Sequence, residues 1–274
     1  MIPCILHFII WKRFDLFKDL LPKMIIKHYK CQAFSCKFIV TDLRSGLGIG
    51  VSARSLSLHG IAVDAVDIDP TVIKYSKEFF DLPSNVNTIV GDGLQVASNI
   101  PPETYDFVLH DVFTGGSLPS HLFTIEAFSA FKKAMRNDGV MAMNFVGSWD
   151  ERDMTLRYSL QRTLMSLFPY VTVCRERVKE ENTWGNMVYF ASEHPIVFRV
   201  PEEEDYLDGD SRYHALNALK DACKILEFSE QVSNQGVIIT NERNPLQSWL
   251  ESVAEGHWKI MRQTFPTDEF WINF

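Results

Sequence analysis

Three glycines spaced two apart, followed by an apolar run that ends in aspartates, constrain this chain most. The stretch GLGIGVSARSLSLHGIAVDAVDIDP, residues 46–70, predicts a glycine turn, a helix and a buried strand. Glycine lets a ligand approach the backbone closely, and a helix N-terminus offers free N–H groups. Gly46, Gly48 and Gly50 form GxGxG, whereas the dinucleotide fingerprint GxGxxG would need its third glycine at Val51. The spacing therefore disfavours NAD, and a glycine turn without a ligand is the alternative.

Short apolar runs alternate with helical stretches from about residue 38, which predicts a parallel sheet with crossover helices. The predicted strands are KFIV, IAVDAVD, VNTIVGDG, YDFVLHD, GVMAMNFVG, YVTVCRE and GNMVYFAS. The last two lie close together in the chain and predict a hairpin. The expected fold class is α/β, with a doubly wound, mainly parallel sheet of seven strands.

The stretch PTVIKYSKEFFDL predicts a helix directly after the second strand. Asp69 suits its N-cap and Pro70 its first turn. The helical period predicts that one face carries Val72, Tyr75, Ser76, Phe79 and Phe80.

The chain divides into three predicted parts: an N-terminal helical segment (1–37), a nucleotide-binding domain (38–195) and a largely helical C-terminal extension (196–274). YHALNALKDACKILEF predicts a helix in the extension. The N-terminal run MIPCILHFIIW is about half the length that a membrane span needs. It predicts an amphipathic helix that packs on the domain, with contact at a membrane surface as the alternative.

Net charge and cysteine usage narrow the class of protein. The 274 residues carry a formal net charge of −8, whereas nucleic-acid binders are more often basic, so we expect no nucleic-acid partner. An acidic surface suits a cationic small-molecule substrate such as an amine. The five cysteines are scattered without a CxxC pair, which predicts no metal site, reduced thiols and a cytoplasmic location. A homodimer is left open.

Acidic residues follow the second and third predicted strands. Ligands of such sheets bind at the carboxyl ends of the strands. Asp67 at the end of the second strand could accept hydrogen bonds from both ribose hydroxyls, and Asp92 in the GDG turn could meet the edge of an adenine. Ile68 and Gly93 are the neighbouring candidates for ligand binding. The alternatives are a surface aspartate at 67 and an ordinary Gly-Asp-Gly turn at 92.

Asp111 ends the fourth predicted strand and is the candidate catalytic residue. A carboxylate there could bind an incoming amine and remove its proton, and burial in a closed pocket would strengthen it as a base. The alternative is an aspartate that only holds the following loop. His110 alternates to the other face of the strand and is expected to pack.

Residues 38–195 resemble the spermine/spermidine synthase family, which shares the class I methyltransferase fold. The segments that carry the resemblance are GLGIG, VDAVDIDP, GDG and YDFVLHD. HDVFTGGSLPSHLFTIEAF, and less specifically GHWKIMR, resemble a fungal spermidine-synthase-like branch. The resemblance implies that S-adenosylmethionine, or its decarboxylated form, is held as co-substrate by Gly46, Gly48, Gly50, Asp67 and Asp92, with Asp111 facing the attacking nitrogen.

The chain departs from that family at the end of the pocket that holds the polyamine. Aminopropyltransferases of the family usually carry one aspartate where this chain has Ile49 and another where it has Thr114. Residues 1–37 show no Tyr-Gln substrate motif. The expected function is transfer of an aminopropyl or methyl group to an amine. The alternatives are methyl transfer to a small molecule or a protein, and a catalytically silent nucleoside-binding scaffold.

Overall fold

A computed structural model describes the core of the chain. The described residues are 37–41, 47–112, 119–148, 154–175, 184–198, 203, 206, 213, 223–225, 230–246 and 248. Residues 1–36 of the predicted N-terminal helical segment lie outside them, and Lys37, its last residue, begins a strand. Most of the predicted C-terminal helix content also lies outside them.

One eight-stranded sheet forms the centre of the described structure, in the order β3-β2-β1-β4-β5-β7-β6-β8. The strands are β1 (Lys37–Thr41), β2 (Ala62–Asp67), β3 (Asn87–Val90), β4 (Tyr105–His110), β5 (Met135–Ser148), β6 (Tyr170–Arg175), β7 (Trp184–Ser192) and β8 (Cys223–Ile225). β1 to β5 are parallel to one another. β7 runs antiparallel to both β5 and β6, so the two late strands form the expected hairpin.

Helices cover both faces of this sheet. They are α1 (Val51–Leu58), α2 (Pro70–Phe79), α3 (Gly93–Asn99), α4 (Ile125–Ala134), α5 (Thr155–Met165) and α6 (Glu230–Gln235), with one 3₁₀ turn at Ser120–Phe123. Successive residues of a strand point to opposite faces. In β5, Met141 and Met143 join the hydrophobic cluster that contains α4 and α5, while Ala142 joins the cluster that contains α1. The α/β architecture is therefore doubly wound.

Helix α2 begins as predicted, but of the predicted apolar face only Ser76 is buried. Asp69 caps it by accepting a hydrogen bond from the Thr71 N–H at 2.8 Å. Ile73 and Ser76 are its buried residues, and the Ser76 hydroxyl donates to the Ile73 carbonyl, which satisfies it inside the core. The aromatic residues of the predicted apolar face are partly or largely exposed instead: Tyr75 is 48% exposed, Phe79 is 68% exposed and Phe80 is half-buried.

The prediction of seven strands is wrong, because an eighth comes from the C-terminal extension. Cys223–Ile225 lies inside a stretch predicted as a helix, yet it pairs antiparallel with β6. Ladder hydrogen bonds at an open sheet edge have overridden local helix propensity there. Cys174 in β6 is disulfide-bonded, so the prediction of reduced thiols is wrong at this residue.

Residues 230–246 pack against the helices beside the sheet. The Arg162 guanidinium of α5 donates to the Ser233 and Gly236 carbonyls at 2.8 and 2.6 Å. The backbone N–H of Ile239 donates to the Thr163 hydroxyl, and Ile239 is fully buried. This segment, which has little regular structure after α6 ends at Gln235, thus contributes Ile239 and Leu246 to the hydrophobic core. Within the described part of the chain, no helix is long and apolar enough to span a bilayer.

Candidate functional site

The strand order reverses beside β1, and this reversal places the candidate site. β2 and β3 lie on one side of β1, while β4 and β5 lie on the other. In open α/β sheets, ligands bind outside the carboxyl ends of the strands at such a point. Asp67 ends β2 and Asp111 directly follows β4. With only β1 between their strands, the two backbones are about 10 Å apart across the sheet.

Asp67 is fully buried and joins the glycine turn to the end of β2. Its Oδ2 accepts from the Leu47 N–H at 3.3 Å, and its Oδ1 accepts from the Asp69 N–H at 2.8 Å. Burial raises the pKa of Asp67 to about 6, while these two backbone hydrogen bonds oppose the rise. The carboxyl group therefore changes charge close to neutral pH.

The glycine turn takes up backbone conformations that favour glycine. Gly48 and Gly50 have φ of 48° and 81°, and a Cβ built on Gly50 would lie 2.8 Å from Leu82 Cδ1. Ile49 is half-buried between them, so the described part of the turn carries no carboxylate. Gly46 and Thr114 lie outside the described residues.

Asp92 lies beside Asp67 because the Gly91 N–H donates to the Asp67 carbonyl at 2.9 Å. Asp92 caps α3 by accepting from the Gln95 N–H at 3.0 Å through Oδ1, and its Oδ2 lies 2.9 Å from His121 Nε2. The sequence did not single out His121, which belongs to the 3₁₀ turn after residues 113–118. The remaining two candidates flank the acids: Gly93 is buried at the start of α3, and Ile68 is 40% exposed.

Asp111 is held by an amide from the neighbouring strand. Asn144 Nδ2 donates to Asp111 Oδ1 at 2.9 Å, and the two residues are 6% and 5% exposed. They stand side by side because His110 pairs with Met143 in the parallel ladder between β4 and β5. Sequence reasoning missed Asn144. The available signal was an amide side chain near the end of the apolar run VMAMNFVG.

His110 packs on the other face, as predicted. It is fully buried, its Nε2–H donates to the Leu122 carbonyl at 3.0 Å, and its ring meets Phe123 and Phe131 edge-on. Burial lowers the pKa of His110 to about 4, so the ring is neutral at pH 7. It supports the strand beneath Asp111.

A glycine turn, a doubly wound sheet and acids at the tips of its strands define the class I methyltransferase type of fold. Solved structures support this class. The probable spermidine synthase from Corynebacterium glutamicum superposes with a TM-score of 0.59 at 18% identity, covering 90% of this chain and 78% of that one. A spermidine synthase in complex with the transition-state analogue AdoDATO gives a TM-score of 0.54 at 14% identity, covering 75% and 71%.

The family follows from the sequence match. Residues 46–200, more than half of the chain, match the spermine/spermidine synthase domain. The chain belongs to the spermine/spermidine synthase domain family.

Curated relatives of known name fall into two groups. The N-terminal histidine N-methyltransferase of Emericella nidulans is 37% identical over 241 residues, which cover 82% of this chain. The polyamine aminopropyltransferase of Clostridium beijerinckii is 26% identical over 161 residues, which cover 55% of this chain. The matches span 42% and 56% of the length of these two relatives.

Proposed function

We propose that this protein is an S-adenosylmethionine-dependent N-methyltransferase whose acceptor is a nitrogen of an N-terminal histidine in a polypeptide. The observation that carries the choice of methyl over aminopropyl transfer is the half-buried Ile49 in the glycine turn. The 37% identity to an enzyme named for N-terminal histidine N-methylation supports the acceptor.

The described residues fit the nucleoside of S-adenosylmethionine. Gly48 and Gly50 leave the backbone of the turn open to a ligand. Asp67 offers a carboxylate to the ribose hydroxyls, and Asp92 with Gly93 offers polar groups to the adenine edge. Gly46 would complete the turn, and Ile68 would lie against the sugar.

The donor's tail separates the two transfer reactions. Both donors carry a positively charged amine, but the intact donor balances it with its own carboxylate. A decarboxylated donor presents the positive propylamine alone, which an acid in the glycine turn would bind. At position 49 this chain has an apolar side chain, which gives that amine no charged partner. Loss of such a partner selects against the decarboxylated donor, because an unpaired charge next to an apolar side chain is costly.

The proposed reaction transfers one methyl group from the donor's sulfur to the acceptor nitrogen, and total charge is conserved. The lone pair of the acceptor nitrogen forms the new N–C bond, and the C–S bond breaks with its electron pair going to sulfur. The donor's sulfonium becomes a neutral thioether, and the nitrogen releases a proton. Asp111 is the group that orients the nitrogen's N–H and takes up the proton.

An assay with paired donors tests this proposal. The protein is incubated with methyl-labelled S-adenosylmethionine and the peptide His-Gly-Ala, with acetyl-His-Gly-Ala as the blocked control. A parallel reaction uses decarboxylated S-adenosylmethionine and putrescine. We expect label in the free peptide alone. Aminopropyl transfer to putrescine would establish the second candidate reaction instead, and nucleoside binding without any transfer would identify a silent scaffold.

The cytoplasmic location inferred from the cysteines stays a prediction. The disulfide at Cys174 stands against it, because disulfides persist in oxidising compartments and are rare in the cytosol. Mass spectrometry of non-reduced peptides from the native source would show whether Cys174 is disulfide-bonded there, as in an oxidising compartment, or reduced, as in the cytosol.

A further inference from the structure

Asn144 carries a buried oxygen that the fold leaves unused. Among the residues that the structure describes, Asn144 Oδ1 has no hydrogen-bond partner although the side chain is only 6% exposed. Buried polar atoms are almost always paired, so an orphaned acceptor calls for an explanation such as a ligand.

The orientation of the amide follows from its neighbours. The Asp111 carboxylate, 2.9 Å away, can only accept when ionised, so the NH₂ group of Asn144 must face it. The carbonyl oxygen then points elsewhere. Across the ladder on the other side, β7 places the apolar Val188 opposite Asn144, which offers no donor from its side chain. Because His110 pairs with Met143, Asn144 stands level with Asp111 at the carboxyl end of β4, which is where the candidate site lies.

We infer that Asn144 is a positioning residue for the methyl acceptor: Nδ2 holds the Asp111 carboxylate while Oδ1 accepts an N–H from the group whose nitrogen is methylated. This inference rests on the proposed function and adds the residue that orients the acceptor. Two fixed oxygens on adjacent strands restrict the direction of the nitrogen's lone pair. Because such restriction acts on the reacting geometry, its loss lowers kcat as well as acceptor binding.

Two substitutions at one position separate positioning from structure. Asn144→Ala removes both polar groups. Asn144→Asp keeps the shape, and its introduced carboxyl, when protonated, donates to Asp111 and presents a carbonyl oxygen as the native amide does. Among the described residues of the two strands that flank β5, Asp111 after β4 is the charged group that contacts Asn144, and Val188 on β7, which pairs with it, is apolar.

The experiment measures peptide methylation and nucleoside binding side by side. We expect Asn144→Ala to lower kcat/KM for His-Gly-Ala about 100-fold and to leave the Kd of S-adenosylhomocysteine within about twofold. We expect Asn144→Asp to recover activity as the pH falls from 8 to 6, relative to wild type. Asn137→Ala, at the exposed start of the same strand, is the matched control and should behave as wild type.

Each contrary result has a distinct meaning. If wild type methylates the peptide and Asn144→Ala keeps its kcat/KM within threefold, the inference alone is wrong. Parallel loss of nucleoside affinity and thermal stability in both Asn144 variants would assign a structural role and overturn it as well. If Asn144→Ala does not fold, the pH profile of Asn144→Asp decides, and a wild-type profile overturns the inference. A wild-type protein that transfers no methyl group contradicts the proposed function first.

Discussion

Asp67 and Asp111 are both buried aspartates at the carboxyl ends of parallel strands in one sheet, yet different kinds of group hold them in place. Backbone N–H groups hold Asp67: that of Asp69, two residues further along, and that of Leu47 in the glycine turn, 20 residues earlier. A side-chain amide 33 residues further along, Asn144, holds Asp111. In the proposed nucleoside half of the site, the groups that hold Asp67 are therefore main-chain N–H groups, which do not depend on the identity of the side chains at 47 and 69. In the proposed acceptor half, the contact that holds Asp111 joins two side chains and therefore depends on the identity of both residues.

Replacement of Asp111 should produce the largest effect and sharpen this contrast. We expect Asp111→Asn to lower kcat for peptide methylation about 1,000-fold, because the nitrogen loses the group that orients it and accepts its proton. Nucleoside affinity should change by less than about threefold, since this residue lies in the acceptor half. Asp106→Asn, earlier on the same strand and paired with Arg136, is the control for charge loss in β4. Normal turnover by Asp111→Asn would refute its role.

Replacement of Asp67 should affect binding rather than chemistry. We expect Asp67→Ala to raise the Kd of S-adenosylmethionine about 100-fold in calorimetry, because two charge-assisted hydrogen bonds to the ribose are lost. Asp69→Asn keeps a capping side chain on α2 and should bind normally. Equal losses in the two variants would show that helix α2, and not the carboxylate of Asp67, governs binding.

The raised pKa of Asp67 makes a prediction about pH. In the proposed site the ribose hydroxyls would bind the ionised carboxylate of Asp67, and its pKa of about 6 means that the free protein protonates it below that pH. We expect S-adenosylmethionine to bind about tenfold more weakly at pH 5 than at pH 7.5. The Asp67→Asn variant should bind weakly with no such dependence. If the wild-type affinity for S-adenosylmethionine does not change with pH, ionisation of Asp67 does not govern nucleoside binding.

The smallest expected effect concerns the turn beneath the nucleoside. Gly50→Ala should lower the free energy of unfolding by about 2 kcal/mol, from its left-handed φ and from the close approach of Leu82. Gly60 also has a positive φ, of 75°, but it lies between α1 and the amino end of β2, away from the carboxyl ends of the strands. Urea unfolding should show a loss of about 1 kcal/mol for Gly60→Ala, with nucleoside affinity unchanged. Equal losses of stability in the two variants would show that the close approach of Leu82 to Gly50 does not contribute.

The same contrast explains what the sequence could predict. Asp67, Asp69 and Pro70 signal their places locally, through a strand end, a cap and a first helical turn. Asn144 becomes a neighbour of Asp111 only through the register of β4 with β5, which no local pattern encodes. His121 likewise contacts Asp92 across a separation of 29 residues in the chain, which no local pattern indicates.

Two errors have the same origin in tertiary structure. Cys223–Ile225 lies in a helix-like stretch, and the open edge of β6 draws it into the sheet. On α2, helical spacing alone could not tell which of two adjacent stripes meets the sheet, and the structure buries the one with Ile73 and Ser76. The spacing of Tyr75 and Phe79 fits an edge-to-face pair on the outside of the helix equally well.

The packing of residues 230–246 sets the boundary for expressing this protein in pieces. The family match ends at residue 200, yet Ile239 and Leu246 are fully buried and β8 covers the edge of β6. A fragment trimmed at the end of the match would lose core side chains and uncover a strand edge that invites aggregation. Insolubility of such a fragment would report on where it was cut and not on the stability of the enzyme.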